Sequence, residues 1–461
     1  MTYAPRQSAR PPSRWLLCCS NQSKGGHDVQ IVDWRRCHAA NRVSSTDRRG
    51  HERVHGPPFS TARAARVTCW SDSALLVAAI AMALSPARTI VERFFDALPL
   101  AGGTLPRRVH AGTTYQGFSK AMLSRGSVLL IAAGEHLRAR LQAVAGAFWM
   151  RRGFVVFAAD GSRVDCPRTI ANEVLGMTAR LDTPTHPQLL VTCLWHMGLG
   201  VLWDWRIGTI FQHERGHLLD MLARLPARAM IVADAGFVGF DLLRAVHDSG
   251  RFFLIRVGSG TRLLTGLGTC RREGPDTVYF WPERRHSKPP LRLRLLTFGD
   301  VHVLTNVLDP VLLSRAAAGE LYRARWGVEV NFRTLKQTLG RRKMRCAAPA
   351  QAKLELHATL LGLTLLQLMA LRGMVARGVD PLGLSTAAAL RTLRSWWTRT
   401  VGAPRTLLRE LSECFRDPYE RLGSKTAWHW PHKKNPPHIQ PPVVRPASAL
   451  LRRRARHFFE P

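Results

Sequence analysis

The sequence predicts an α/β protein built around a mixed sheet that helices flank. From residue 153 onward, short apolar runs alternate with amphipathic segments in the order strand, hairpin, helix, strand, helix, strand. Between residues 258 and 307 strand-like runs follow one another, separated by Gly- and Pro-rich turns, which predicts an all-β insertion. The chain has 461 residues, enough for two or three domains and at least one large core.

The charge of the chain indicates a polyanionic partner. Lys and Arg total 67 against 32 Asp and Glu, which gives a formal net charge of +35. A GC-rich gene would explain a preference for Arg over Lys, but not an acidic count below half of the basic count. The composition therefore favours binding to nucleic acid over most other functions.

Cysteine usage and apolar runs indicate an intracellular protein. The nine cysteines form no C-x-x-C pair, which is typical of a reducing cytosol. No charged, apolar and small leader opens the chain, so no signal peptide is expected. The apolar runs Ala74–Leu84 and Ala358–Leu371 are too short to cross a bilayer, and the second contains Gln367 and predicts a buried core helix. We expect a cytoplasmic, nucleoid-associated protein with no membrane partner.

Composition divides the chain into four regions. Residues 1–80 are predicted to be a disordered basic extension, and Met82 is a plausible alternative start. Residues 85–150 show helical periodicity in "ARTIVERFFDAL" and "GSVLLIAAGEHLRARLQAVAGAF"; they are either a DNA-binding module or a cap on the next domain. Residues 151–375 are the predicted α/β domain. Residues 376–461 are a basic C-terminal region whose Pro-rich end is expected to be an extended tail without a core.

The elements of the α/β domain follow in order. "FVVFAAD" predicts a strand that ends in Asp160, and "PQLLVTCLWHMGLGVLWDWRIG" predicts a hairpin. "ERGHLLDMLARLP" predicts a helix that Pro226 ends, and "RAMIVAD" predicts a buried strand ending in Asp234. "GFDLLRAVHDSG" predicts a helix closed by Gly250, before the strand "RFFLIRV". Helices resume at about residue 311 and continue through Leu371.

Asp160 and Asp234 each follow a short apolar run, and each precedes a small residue. Acids at such strand ends can converge at one edge of a sheet. Carboxylates that come together repel one another and resist ionisation, unless a cation removes that cost. Hard oxygen ligands suit Mg²⁺, so these strand ends and one further acid, Glu329, are candidates for a site that holds two metal ions.

Glu329 lies in the basic stretch "LYRARWGVEVNFRTLKQTLGRRKMR". In one continuous helix at about 100° per residue, Tyr322, Arg325, Glu329 and Lys336 fall on a stripe about 60° wide. The adjoining face is apolar and is expected to pack on the sheet; it comprises Val328, Phe332, Leu335 and Leu339. On this pattern the glutamate is a metal ligand set among phosphate-binding cations. The alternative is ordinary pairing of Glu329 with Arg325 and Arg333 on a solvated face.

The stretch "YRARWGVEVNFRTLK" resembles the Y-x2-R-x3-E-x6-K signature of the DDE transposases of bacterial insertion sequences, of the insertion-sequence-four type. "FAADGS" resembles the strand of that family's first aspartate, and "IVADAGF" resembles the segment of the second. The resemblance covers about residues 110–375. Residues 1–80 and the basic tail have no clear counterpart in the family.

The resemblance implies an RNase H-like fold with a β-rich insertion between the second aspartate and the glutamate. It implies metal-dependent DNA cleavage and strand transfer at insertion-sequence ends, with two Mg²⁺ ions that Mn²⁺ can replace. The implied partners are inverted-repeat ends and target DNA, bound by a homodimer. The implied catalytic residues and metal ligands are Asp160, Asp234 and Glu329, and the expected DNA-binding residues are Tyr322, Arg325, Arg333 and Lys336. An aromatic residue of the insertion, for which Trp281 is a candidate, would hold a flipped base.

Two other functions compete with this interpretation. "HERGH" at 213–217 is a literal H-E-x-x-H, in which His213 and His217 would bind Zn²⁺ and Glu214 would act as a base. Arg215 and Gly216 suit a buried zinc helix poorly and no third ligand follows, so the sequence favours a helix that covers the sheet. Glu214 then matches an acidic position often seen there in the family. The second alternative is a catalytically silent, transposase-derived DNA-binding protein.

Overall fold

The computed structural model of this chain describes residues 70–103, 112–177, 186–268, 273–398, 404–416 and 440–459. Most of the predicted N-terminal extension lies outside the described residues. The helices in these ranges are α1 (Asp72–Leu84), α2 (Ile90–Gly102), α3 (Tyr115–Ala121), α4 (Ser127–Val144), α5 (Glu214–Met221), α6 (Phe240–Asp248), α7 (Arg315–Ala324), α8 (Gly327–Arg333), α9 (Pro349–Ala376), α10 (Thr386–Thr398), α11 (Pro404–Ser412) and α12 (Ala449–Arg456).

The strands join into one sheet of ten strands, in the order β10-β6-β7-β8-β9-β5-β4-β1-β2-β3. Their bounds are β1 (Val155–Asp165), β2 (Gln188–His196), β3 (Val201–Thr209), β4 (Ala229–Ala233), β5 (Phe252–Val257), β6 (Arg262–Thr265), β7 (Thr277–Phe280), β8 (Leu291–Phe298), β9 (Val301–Thr305) and β10 (Val443–Pro446). Strands β1, β2 and β3 form an antiparallel meander, and β4 and β5 lie parallel to β1. This arrangement is RNase H-like, and it confirms the predicted α/β class and the predicted element order.

The β insertion extends the central sheet. Strand β9 pairs antiparallel with β5, and β8, β7 and β6 follow outward from it. The strand-rich character predicted for residues 258–307 is therefore present, and the insertion shares the backbone ladder of the core sheet. A rigid connection results, because each strand is hydrogen-bonded to the next.

The end of the chain departs from prediction. We expected an extended tail without a core, but β10 pairs in parallel with β6 and α12 follows it. Ala447 and Ala455 are buried, which shows that this segment packs on the insertion. The expectation failed because the strand that accepts β10 lies about 180 residues earlier in the chain, beyond any local pattern.

The N-terminal helical region begins earlier than predicted. The extension was placed at 1–80, but α1 starts at Asp72, capped by the Ser71 hydroxyl, and every residue from Ala74 to Leu84 is buried. This helix packs against α2 and α9. The boundary was wrong because an apolar helix that is covered on all sides lacks the amphipathic period by which helices are recognised.

Helix α9 is the central helix of the fold. Among the described helices it alone is long and apolar enough to cross a membrane, and most of it is buried inside the protein. The side-chain amide of Gln367 is buried in the core. Its Nε2 donates a hydrogen bond to Asn331 Oδ1 at 3.2 Å, which gives this buried donor a partner. The prediction of a buried core helix is confirmed.

The basic stretch after residue 322 is not one helix. Helix α7 ends at Ala324, α8 begins at Gly327, and a π-helical turn occupies Thr334–Thr338. A Cβ on Gly327 would lie 2.0 Å from the Trp195 ring, so glycine permits the close approach of the break to β2. The predicted wheel, with its constant rotation per residue, is therefore wrong. Its apolar face is confirmed, since Val328, Phe332, Leu335 and Leu339 are all buried.

Candidate functional site

Asp160 and Asp234 occupy equivalent positions on adjacent parallel strands. The pairing of β1 with β4 ends with Ala158 opposite Val232. Asp160 and Asp234 each follow two residues later, so the same register places them level with one another. Strand β1 continues to Asp165, so Asp160 does not end its strand as predicted; it lies level with the point where β4 ends. The structure thus brings the two predicted aspartates together.

The Asp160 carboxyl is held in an unusual electrostatic environment. Burial first, and then the charges of Asp234 and Glu214, raise its pKa to about 6, against lowering by the Gly161 N–H and Arg325. The Gly161 N–H donates to Asp160 Oδ1 at 2.8 Å. Like charges therefore crowd this point of the sheet, and any bound cation would relieve the repulsion.

Arg256 extends the row of charged residues to a third strand. The pairing of β4 with β5 ends with Ala233 opposite Ile255, so the next residue of each strand, Asp234 or Arg256, lies level with the other. The Arg256 Nε is buried and has no hydrogen-bond partner among the described residues. We did not anticipate this residue from the sequence. Counting the register outward from Asp234 along "RFFLIRV" is the signal that would have found it.

Tyr322, Arg325 and Glu329 form a cluster beside Asp160. Arg325 Nη2 lies 3.2 Å from Glu329 Oε1, and the Arg325 guanidinium stands over the Tyr322 ring at 5.8 Å from its centroid. The Arg325 charge lowers the pKa of Asp160, so the cluster adjoins the aspartates. The Arg325 Nε is a second buried guanidinium nitrogen without a partner among the described residues. Pairing of Glu329 with Arg325, the alternative left open by the sequence, is thus present.

Lys336 and Arg333 lie apart from this cluster. Burial lowers the pKa of the Lys336 ammonium, and its acidic neighbour is Asp165. Asp165 is five residues beyond Asp160, about 17 Å along an extended strand. Arg333 is exposed and makes no ion pair with a described residue. The predicted stripe failed at Lys336 because the π-helical turn changes the direction of side chains after Arg333.

Glu214 is a third carboxylate at the aspartates. A Cβ on Gly161 would lie 1.8 Å from Glu214 Oε1, so the glutamate fills the space that a side chain at 161 would take. Burial, and secondly the charge of Asp234, raise the pKa of Glu214. The sequence predicts that Glu214 lies on a helix covering the sheet, and α5 does pack on β1, β2 and β3. Its approach to Asp160 became visible only in three dimensions.

The H-E-x-x-H motif does not form a zinc site. His213 is exposed at the N-terminal end of α5, whereas His217 is buried with its Nδ1 2.9 Å from the Thr192 hydroxyl. Among the residues that the structure describes, no group of three or more His, Cys, Asp or Glu side chains is arranged to hold a metal ion. In the first turn of α5, His217 therefore bonds to Thr192 of the sheet, and Glu214 lies beside Gly161 and the aspartates.

Asp160 and Asp234 each have one carboxylate oxygen that is free to bind a divalent cation. Asp160 and Asp234 each use Oδ1 to accept a backbone N–H, from Gly161 at 2.8 Å and from Gly236 at 2.9 Å. Each keeps Oδ2 without a hydrogen bond from the described residues. Such hard oxygen donors are what Mg²⁺ and Mn²⁺ prefer. Because Glu329 is paired with Arg325, a site shared by all three predicted carboxylates stays a prediction.

Trp281 is not available to stack on a base. Its side chain is buried, its Nε1 donates to the Lys288 carbonyl at 2.7 Å, and its ring packs on His286. The candidate was wrong because Trp281, which directly follows β7, packs against Phe458 of the C-terminal segment. Trp326, the residue after Arg325 in the chain, is exposed, with 57% of its surface accessible.

Three comparisons place this site among known proteins. Residues 208–365 match the family model described as the transposase DDE domain, a range that includes Asp234 and Glu329 and begins after Asp160. The chain is 24% identical over 229 residues to the transposase InsG for insertion sequence element IS4 of Escherichia coli (strain K12). That alignment covers 47% of this chain and 52% of the relative, so the chain spans about half the length of the curated relative.

Among solved structures, a transposase complex is similar to part of the chain. It is the cryo-EM structure of the piggyBac transposase synaptic complex with hairpin DNA, at 12% identity over 61% of each chain, with a TM-score of 0.34. A likeness of this size carries no argument about the site. The family match and the relative show what this part of the chain is similar to: residues 208–365 match the transposase DDE domain, and the aligned relative is a transposase of insertion sequence element IS4.

Proposed function

We propose that the protein is a transposase that cleaves DNA at insertion-sequence ends and joins the freed ends to target DNA. The observation that carries the proposal is the proximity of Asp160 to Asp234: each lies two residues beyond the last pair of the β1–β4 ladder, Ala158 and Val232, and the charge of Asp234 acts on the Asp160 carboxyl. Such a pair, on which burial and like charge raise the pKa of Asp160 to about 6, is costly for the fold alone. A function that places a cation there accounts for it.

The aspartates would hold Mg²⁺ or Mn²⁺ through their free Oδ2 atoms, and Glu329 is the proposed third ligand. When bound, a metal pair supplies charge stabilisation for attack on a phosphodiester and for the leaving oxygen. In cleavage, a water oxygen bonds to phosphorus and the bond to O3′ breaks, which leaves a 3′-hydroxyl. In strand transfer that hydroxyl loses its proton and its oxygen bonds to a target phosphorus, while the bond from that phosphorus to the target O3′ breaks and leaves a target 3′-hydroxyl.

The cations around the carboxylates would hold the phosphates of the transposon end. Arg325 and Arg256 both carry a buried Nε without a partner among the described residues, a donor that a phosphate oxygen can satisfy. Tyr322 would orient Arg325, whose guanidinium lies over its ring. Arg333 and Lys336 would contact phosphates further along the duplex. We expect a homodimer in the DNA complex and an association with the nucleoid.

The experiment is cleavage of end DNA by the Glu329→Gln and Asp160→Asn variants. Both should lose cleavage in Mg²⁺ and in Mn²⁺ while they keep DNA binding, because the carboxylates hold metal and the cations hold phosphate. Arg323→Ala, which changes an exposed residue of α7, is the matched control and should cleave normally. Normal cleavage by Glu329→Gln would refute the proposed role of the glutamate.

A second candidate function is a silent DNA-binding protein, and one observation favours it. Glu329 is neutralised by Arg325 at 3.2 Å, and an ion pair of this kind needs no metal. Binding without cleavage by the unaltered protein, in either metal, would support this function over the first.

A further inference from the structure

The end of the chain is fixed on the outer side of the β insertion. Strand β10 pairs in parallel with β6, from Val443 opposite Arg262 to Pro446 opposite Thr265. Beyond it, Ala455 of α12 is buried, and the Phe458 ring lies 6.2 Å from the ring of Trp281. Helix α12 is therefore attached to the central sheet through a continuous backbone ladder and through apolar contacts.

This segment carries a dense positive charge. Residues 440–459 contain five arginines and neither Asp nor Glu. All five arginines are exposed, and none forms an ion pair with a described residue; they are Arg445, Arg452, Arg453, Arg454 and Arg456. Some exposed arginines elsewhere in the described part of the chain are paired, for example Arg285 with Asp241 at 2.6 Å. In residues 440–459, by contrast, five exposed arginines occur together without an acidic residue between them.

Three of the arginines lie within an arc of about 100° on the exposed surface of α12. At about 100° per residue, with Arg452 at zero, Arg456 falls at about 40° and Arg453 at about 100°. The half-buried Leu451 falls at about 260° and the buried Ala455 at about 300°, so the direction of burial is centred opposite Arg453. We name Arg452, Arg453 and Arg456 the basic face of α12.

We propose that the basic face of α12 binds the phosphate backbone of duplex DNA. The proposal deepens the proposed function, on which it rests for the identity of the polyanion. Guanidinium groups that are fixed on a rigid helix suit successive phosphates, and contacts of this kind position a duplex without reading its sequence. A membrane surface fits less well, because an interfacial helix inserts its apolar side, and here Leu451 and Ala455 of α12 and the following Phe458 pack on the protein, which leaves Leu450 as the exposed leucine of this helix.

The position of α12 allows one long duplex to contact both the basic face of α12 and the carboxylates at the end of β4. In the sheet, β10 lies six strands from β4, which is about 29 Å for a flat sheet with strands about 4.8 Å apart. Duplex DNA rises about 3.4 Å per base pair, so the span corresponds to about nine base pairs. The basic face would then hold the duplex roughly one helical turn away from the phosphate that is cleaved.

The test is the salt dependence of DNA binding by the full chain. The triple variant Arg452→Gln, Arg453→Gln, Arg456→Gln is compared with the unaltered protein on a 30-base-pair duplex of arbitrary sequence, without divalent metal. Each lost phosphate contact should reduce the log–log slope by about 0.9, so we expect a reduction of up to about 2.7. Glutamine forms helix nearly as well as arginine, and thermal unfolding checks that the variant folds.

Two further variants make the result specific. Replacing the exposed arginines of α10 and α11, as Arg391→Gln, Arg405→Gln, Arg409→Gln, removes the same charge elsewhere and should change the slope much less. The triple Arg→Lys variant of the basic face keeps the charge and should recover most of the slope. A slope that is unchanged in the first variant, or reduced equally in the control, would overturn the inference.

Two last measurements separate the outcomes. If the basic-face variant lost binding to vesicles of anionic phospholipid and kept its DNA slope, the surface would be a membrane contact and the inference would be overturned. If Glu329→Gln cleaved DNA normally while the basic-face variant lost its slope, the proposed active site would fail and the α12 contact would stand. Because the binding measurement contains no metal, the failure of one proposal does not affect the other.

Discussion

The carboxylate of Glu214 lies directly over Gly161, so that a Cβ on residue 161 would sit 1.8 Å from Glu214 Oε1. The residue after Asp160 therefore has to be glycine if Glu214 is to stand beside the two aspartates. This contact links the covering helix α5 to the middle of β1, and it explains why a small residue follows the first aspartate.

Gly161→Ala should displace Glu214 and destabilise the protein by about 1–3 kcal/mol, since the added methyl group has no room. Urea denaturation measures the change. The control is Gly216→Ala in α5, where a Cβ meets nothing within 4 Å. That substitution should be neutral or stabilise by up to about 1 kcal/mol. In the double variant Gly161→Ala, Glu214→Ala the loss should largely disappear; if it persisted, the contact with Glu214 would not be its cause.

Asp160→Asn should stabilise the protein at neutral pH and not in acid. Burial and the neighbouring carboxylates raise the pKa of Asp160 to about 6, above the ordinary value of 3.8. A raised pKa in the folded state favours the neutral carboxyl, so its contribution to stability is fully present below pH 3.8 and is lost as the pH rises through about 6. The Tm difference between variant and parent should accordingly grow between pH 4 and pH 7. A constant difference would contradict the raised pKa.

Mg²⁺ should stabilise the unaltered protein more at pH 8 than at pH 5. Below about pH 6 a proton on Asp160 competes with the cation, and above it the ionised carboxylate repels Asp234 until a cation binds. The Tm with and without Mg²⁺ at the two pH values measures the effect. Asp160→Asn should abolish the pH dependence of the Mg²⁺ shift. An equal shift at both pH values in the parent would place the metal elsewhere.

Arg325→Ala should weaken binding to end DNA and lower the salt slope by about 0.9, if the guanidinium holds one phosphate. The variant also frees Glu329 from the ion pair of 3.2 Å, so thermal unfolding has to be compared first. Arg323→Ala, on the exposed side of α7, is the control and should leave the slope unchanged. Equal slopes in the two variants would show that Arg325 serves only to neutralise Glu329.

Arg256→Gln should weaken end binding by about 1.5–3 kcal/mol, the range for a hydrogen bond to a charged group. Arg256 lies level with Asp234, and its buried Nε has no hydrogen-bond partner among the described residues. A phosphate oxygen would accept a hydrogen bond from this Nε. A matched control is Arg262→Gln, which changes an exposed arginine on β6, five strands away from β4. If Arg256→Gln bound end DNA as tightly as the unaltered protein, the Arg256 Nε would have no role in the DNA complex.

Local patterns predicted the elements of the core but not every neighbour of the site. Apolar runs and turn residues indicated the order from β1 to β5, and the proximity of Asp160 to Asp234 follows from the parallel pairing of β1 with β4, although Asp160 lies within β1 and not at its end. The break at Gly327 was missed because the close approach that glycine permits there is to the Trp195 ring, more than a hundred residues earlier. Arg256 and the approach of Glu214 to Asp160 were missed for the same reason, since register and helix docking are set by contacts across the sheet.

The sheet ends on one side at β10, a strand of four residues that closes with Pro446. A proline has no N–H to offer, and a short, arginine-bearing edge is a poor template for another chain. Without residues 440–459, β6 would become the outermost strand and its backbone groups would lie open to pairing. By covering β6, the C-terminal segment is expected to prevent aggregation through edge-to-edge strand pairing. A chain that lacks residues 440–459 should precipitate at concentrations at which the full chain stays in solution.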